Sequence, residues 1–323
     1  HLGRPLRPGP AGRPRSAEDS IGGSRAVPSP ALPGAQAGRE PVSPSPTAPQ
    51  RQREPRGDPT VATLLGWFVP GAGHLFLGEV VAAVVVFALV GGLYFLGLSL
   101  ADGMTFEFLD PELRGALAPL LSPESGTLGG FVWQQRQYGY GPGFPRLFPD
   151  TVRLGSALCA TAGVLNVVTM VHVHLFARLG DLRASLRPAA LVGLAWLVPG
   201  LGHFLQGRRL RAAIVFGLLV GLFVVGTLLA EGSNLSRERH FYYWAGQFLL
   251  GAPALVAEAL FGSTRVTGPI PYAEAGLVYG CVAGLLNVLA MIDVYGWAEA
   301  RVLGLDPRVR GGEQPAGGGE ARA

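Results

Sequence analysis

Four stretches of the chain, residues 80 to 101, 155 to 175, 212 to 230 and 276 to 296, are nearly unbroken apolar runs. Each comes close to the roughly 20 residues a helix needs to cross a bilayer, and each predicts a membrane span. Two shorter apolar stretches, 61 to 77 and 189 to 206, precede the first and third spans and carry Pro-Gly in their middle. A proline has no N–H to continue a helix, so these stretches predict broken or re-entrant segments whose freed backbone groups are buried in protein. The fold expected is all-α: a polytopic helical membrane protein with four full transmembrane helices and two short Pro-Gly segments.

The pattern occurs twice. Trp67-Phe-Val-Pro-Gly-Ala-Gly-His74 returns as Trp196-Leu-Val-Pro-Gly-Leu-Gly-His203, 129 residues later, and the register holds through Gly78/Gly207, Phe87/Phe216, Gly92/Gly221, Gly97/Gly226, Asp102/Glu231 and Gly103/Gly232. Ala162-Gly-Val-Leu-Asn-Val-Val-Thr-Met170 returns as Ala283-Gly-Leu-Leu-Asn-Val-Leu-Ala-Met291, offset by 121. The chain therefore divides into repeat unit one, 61 to 180, and repeat unit two, 189 to 304. Residues 1 to 60 hold 13 of the 27 prolines and few aliphatics. Too little apolar surface is available there to offset the entropy of ordering, so a disordered arm is expected, and a disordered tail over 305 to 323. The first apolar run begins near Val61, which predicts no secretory signal.

Charge bears on topology. Residues 102 to 153 carry four Arg against six acids, and 231 to 274 three Arg against four. Arg178, Arg183, Arg187, Arg208, Arg209, Arg211 and Arg301 flank the other span ends. Under the positive-inside rule these ends and both termini are cytoplasmic, which favours four crossings over an inverted six-crossing alternative. All 26 basic residues are Arg, as a GC-rich bacterial genome would produce, so the bacterial inner membrane is the expected location. The net charge of +4 is scattered, and no basic stretch is interleaved with aromatics, so no nucleic-acid partner is expected.

Small residues mark helix faces. Gly155, Cys159 and Gly163, and likewise Gly276, Gly280 and Gly284, recur in steps of four on one face of the second span of each unit, and Gly217 and Gly221 do so on the third span. In lipid such faces let helices approach closely, within the chain or between copies. Asn166 and Asn287 follow three residues beyond Gly163 and Gly284. An amide at that depth needs a partner, which is either a ligand or an interhelical bond, including one from Asn to Asn across the repeat axis. His74 and His203 close the Pro-Gly-x-Gly-His motif. His172 and Asp293 sit at equivalent places near the ends of the second and fourth spans, within geometric reach of a His203 to Asp293 hydrogen bond. His240 to Gly262 reads as an amphipathic helix with interfacial aromatics.

The sequence contains no nucleophile elbow, phosphate-binding loop, dinucleotide fingerprint or His-Glu-x-x-His, and its two cysteines are expected as packing thiols. Neither a cofactor nor a metal is therefore expected. Residues 196 to 209, 246 to 253 and 283 to 293 together resemble an uncharacterised family of bacterial multi-pass membrane proteins known as a domain of unknown function. More distantly, Gly-x-Gly-His with a later Ile-Asp is similar to the two-helix membrane domain that carries Gly-x-His-Arg-Phe-Tyr-Leu-Gly. Neither resemblance implies a reaction. The expected function is a non-enzymatic scaffold or interaction module in contact with lipid and with a protein partner or second copy. The alternative is a small-solute transporter or channel with polar residues at the repeat interface.

Overall fold

A computed structural model describes residues 56–103, 105, 126–130, 132, 149–237, 239–262 and 268–305. The arm as far as residue 55 and the tail beyond 305 lie outside the described residues. Among the described residues the main helices are α1 Pro59–Phe68, α2 Ala72–Phe76, α3 Val80–Leu100, α4 Val152–Leu179, α5 Leu182–Leu197, α6 Leu201–Leu205, α7 Arg209–Leu229, α8 Phe241–Phe248, α9 Ala252–Phe261 and α10 Ala273–Val302. There is no strand among the described residues. Helices α3, α4, α7 and α10 are long and apolar enough to cross a membrane, and the protein is a polytopic membrane protein. α3 carries a π-helical turn at Phe87–Gly91, where its counterpart α7 is regular.

The repeat reaches the backbone conformation. Gly71 and Gly200 have φ of 86° and 82°, Gly78 and Gly207 both 82°, and Asp102 and Glu231 both 48°. A positive φ at two non-glycine residues in register is a costly feature to duplicate by chance.

Helix α1 starts with Asp58 accepting from the N–H groups of Thr60 and Val61, and with Pro59 in its first turn. It runs antiparallel to the C-terminal half of α4: the Arg56 N–H donates to Ala177 O at 3.1 Å, Thr63 Oγ1 lies 3.3 Å from His174 Nδ1, and Gly66 packs on Met170 and Val173. Ten residues rise about 15 Å, half of a bilayer core of about 30 Å. The chain then reverses, and α2 runs back against α1. A Cβ at Gly73 would lie 2.1 Å from Ala62 O, and one at Gly57 would lie 2.9 Å from Leu77. The segment is a re-entrant hairpin whose mouth closes where it opened, with Arg56 and Glu79 paired across it. Helices α5 and α6 repeat this against α10, with Gly202 packed on Leu191 O and Val294.

Helix α8 enters from the opposite end of the bundle. Gly246 packs on Cys281, and a Cβ at Gly284 would lie 2.0 Å from Gly246 O. The chain turns at Gly251, φ 81°, and α9 leads away again. The single amphipathic helix with interfacial aromatics expected over 240 to 262 is corrected here to two helices, and of the aromatics over 241 to 244 only Tyr242 and Tyr243 are exposed. Trp244 and Phe248 are buried in a core with Trp196, Val192, Met291 and Val294, because two broken helices let the aromatic side chains reach the interior.

The glycine faces sort into two kinds. A Cβ at Gly155 would lie 2.5 Å from Gly97 O and one at Gly276 would lie 2.4 Å from Gly226 O, so α3 meets α4 as α7 meets α10. Gly163 lies under Gly126, and Gly280 under Gln247. Gly217 and Gly221 differ: nothing lies within 4 Å of a Cβ at either. They take no part in packing within the chain, because the contact face of α7 runs instead through Leu219, Phe223 and Gly226. Gly276→Ala should therefore lower stability by about 1–3 kcal/mol through overpacking against a backbone carbonyl. Gly217→Ala should cost nothing and, through helix propensity, should raise stability by up to about 1 kcal/mol. Thermal melts of the two variants in the same detergent test this, and equal melting would contradict it.

Candidate functional site

Each Pro-Gly hairpin creates a chemical problem at its tip. In α1 the last helical bond runs from the Val69 N–H to Leu65 O, and Val69 itself is extended, as the residue before a proline tends to be. An N–H at position 70 in a continued helix would have bonded to Gly66 O, but Pro70 has none. Gly71 then takes a left-handed conformation, and the chain reverses. In α5 the same sequence of events leaves Ala195 O without a helical donor ahead of Pro199. Unsatisfied carbonyls at membrane depth cost several kcal/mol.

The repeated asparagines supply the missing donors. Asn166 Nδ2 donates to Gly66 O at 3.2 Å and to Gly126 O at 3.1 Å. Asn287 Nδ2 donates to Ala195 O at 3.3 Å and to Leu249 O at 3.0 Å. Both residues are fully buried. The Asn-to-Asn bond entertained from sequence does not form: both Nδ2 groups are spent on backbone carbonyls of their own units, and Asn287 Oδ1 is buried without a hydrogen-bond partner. In unit two the second acceptor is the end of α8, so Asn287 joins two hairpins that enter from opposite ends. There a Cβ on Gly251 would lie 1.9 Å from Trp196 O, a backbone contact that only glycine permits.

A second level of contacts lies nearer the hairpin mouths. His74 Nε2 is 2.9 Å from His172 Nδ1, and His172 Nε2 is 3.1 Å from Leu182 O. A carbonyl only accepts, so His172 carries its proton on Nε2, and His74 Nε2 donates to the free Nδ1. In unit two, His203 Nε2 donates to Asp293 Oδ2 at 3.0 Å, and Asp293 also holds Arg208 at 2.7 Å and Arg211 at 3.1 Å. Arg208 stacks over Trp297, 4.5 Å from the ring centroid. The two sites share one geometry with different acceptors: a neutral imidazole in one, a carboxylate between two guanidinium groups in the other. Among the described residues no group of three or more His, Cys, Asp or Glu could hold a metal ion.

One polar cluster escaped the sequence reading. Asn234 Nδ2 donates to Gln247 Oε1 at 3.0 Å, and Gln247 Nε2 returns a bond to Asn234 O at 2.7 Å. Arg237, 4% exposed, pairs with Glu258 at 2.9 Å and lies 3.9 Å from the centre of the Trp244 ring, while Trp244 Nε1 donates to Glu258 Oε2 at 2.8 Å. Glu258, alone in an apolar decapeptide, is the signal that an ion pair is needed. Nothing in the sequence pattern indicates Arg237 as its partner. These bonds tie α8, α9 and the Ser233–Leu235 turn together at the end opposite the Arg-rich one.

Asn166→Ala and Asn287→Ala should each cost about 1–2 kcal/mol, the range of interhelical amide bonds in membranes. The double variant should show the sum of the two losses, because the amides share no partner. Thermal melts of the four proteins measure this, and marked non-additivity would mean that the two hairpins are coupled directly.

No curated protein and no solved structure matches the chain. Residues 61–181 match the Family of unknown function (DUF6677), and residues 190–305 match it again. These limits coincide closely with the two hairpin-and-span units, each with its own proline-terminated half-helix and asparagine. The chain therefore belongs to the Family of unknown function (DUF6677), matching it once in each of its two repeat units.

Proposed function

We propose that the protein is a non-enzymatic scaffold or interaction module of the bacterial inner membrane, with both termini in the cytoplasm. The observation that carries this reading is the use made of its buried polar groups. The amides of Asn166 and Asn287 close backbone carbonyls, and His74 and His203 each donate to a side chain of the neighbouring span. A substrate path would need such groups turned toward water. The orientation rests on Arg178, Arg183, Arg187, Arg208, Arg209, Arg211 and Arg301, which gather at the end where hairpins α1–α2 and α5–α6 open. The open Gly217 and Gly221 face of α7 offers a partner helix a close approach, either from another protein or from a second copy.

A transporter is the second reading, and one observation favours it. Half-helices that enter from opposite ends and meet near mid-membrane are a device of transporters, where their termini bind substrate or ions. Here α5 and α8 meet that way at Asn287.

Reporter fusions after residues 125 and 265 should both report periplasm, and either one reporting cytoplasm would replace the four-crossing topology. Scaffold and transporter separate in melts of wild type and Asn287→Ala with and without a panel of small solutes. The scaffold reading expects the variant to melt lower and no solute to shift either protein. A variant that melts like wild type, with a solute that stabilises wild type alone, would establish the transporter instead.

A further inference from the structure

A groove of about 500 Å³ runs along the bundle between α7 and α10. Its floor and walls include Ile214, Leu218, Leu286 and Ala290, and its mouth is formed by Arg211 and Asp293. Ile214 and Leu218 are more than half exposed, on a helix whose apolar length places them in lipid. Arg211 is 56% exposed and reaches both Asp293 oxygens through Nη1 alone. Among the described residues its Nη2 and Nε bond to nothing. Arg208 and Arg211 against Asp293 leave one positive charge at the mouth.

The repeat supplies an internal comparison. In unit one the apolar stripe persists as Val85 and Leu89, also exposed, but the charges do not. Glu79 stands at the position of Arg208, Val80 at that of Arg209, Ala82 at that of Arg211 and His172 at that of Asp293. An apolar stripe alone meets any acyl chain; a cation at its end selects the headgroup. We propose that the α7–α10 groove is a binding site for an anionic phospholipid, whose phosphate is held by Arg211 and whose acyl chain lies along Ile214, Leu218 and Leu286. Asp293 orients the Arg211 guanidinium and His203 orients Asp293, so the histidine–carboxylate contact of unit two serves to position the lipid-binding cation. This goes beyond the scaffold reading and holds for a transporter equally.

Native mass spectrometry of the full chain in detergent tests it, with titration of phosphatidylglycerol and of phosphatidylcholine carrying the same acyl chains. The first phosphatidylglycerol should bind at about fivefold lower concentration, the advantage that one arginine confers toward an anionic lipid. Arg211→Gln should erase that preference, whereas Arg183→Gln, which removes an exposed arginine off the groove at the same end, should keep it. Ala290→Trp, which fills the groove without touching its charges, should weaken both lipids; should that variant not fold, the two arginine variants decide the matter. Equal binding of the two lipids, or equal loss in Arg211→Gln and Arg183→Gln, would overturn the site. Displacement of the lipid by glycerol phosphate at matched concentration would also overturn it, since the mouth would then be a free-phosphate site.

Discussion

A helix that stops halfway through a membrane leaves carbonyls facing a medium with no donors, and the architecture of this protein follows from how that is resolved. Pro70 and Pro199 stop α1 and α5, and the carbonyls left open, Gly66 and Ala195, each accept from an asparagine on the neighbouring long helix. The amide has two hydrogens, and each asparagine uses the second on another segment, at Gly126 O or Leu249 O. In unit two one side chain thus closes two helix ends. The glycine stripes belong to the same device. Only where Gly163 and Gly284 lack side chains do Gly126 and Gly246 come close enough for their segments to reach the amide one turn further along. Glycine spacing and asparagine position are two parts of a single packing solution, which explains why they recur together at one offset.

Duplication then left room for divergence nearer the surface. At the hairpin mouths the acceptor for the motif histidine is free to vary, provided something accepts a proton from Nε2. Unit one uses His172, anchored to Leu182 O, and unit two uses Asp293, anchored by Arg208 and Arg211. The backbone is supported equally in both, so the difference is available for other purposes. At the opposite end α8 and α9 bring a buried ion pair and an amide pair into unit two. A buried ion pair such as Arg237 with Glu258 is weak evidence for added stability, because desolvation offsets most of its attraction. Its effect is better described as registering α8 and α9 against each other.

The sequence alone determined the spans, the duplication and the breaks. Apolar runs over 80 to 101, 155 to 175, 212 to 230 and 276 to 296 became helices of 21, 28, 21 and 30 residues. The second and fourth helices run past their apolar runs at both ends, through Arg153 and Arg178 and through Glu274, Glu299 and Arg301. These properties are local: hydropathy, proline chemistry and glycine conformation are set by each residue and its neighbours along the chain. What tertiary structure decided was partnership. The sequence placed Asn166 and Asn287 on a packed face but left open whether each would bond a ligand or a neighbouring helix, its repeat counterpart included. The answer depended on the reversal at Gly71 and Gly200, which brings carbonyls about a hundred residues distant to the amides. The separation of Gly276, wedged on Gly226, from Gly217, which touches nothing, was likewise invisible, because helical periodicity shows that residues share a face but not which face meets another helix. The burial of Trp244 required the break at Gly251 to be seen as a turn between two helices rather than as an irregularity in one. Each of these outcomes rests on contacts between segments far apart in the chain, a quantity that no window along the sequence contains.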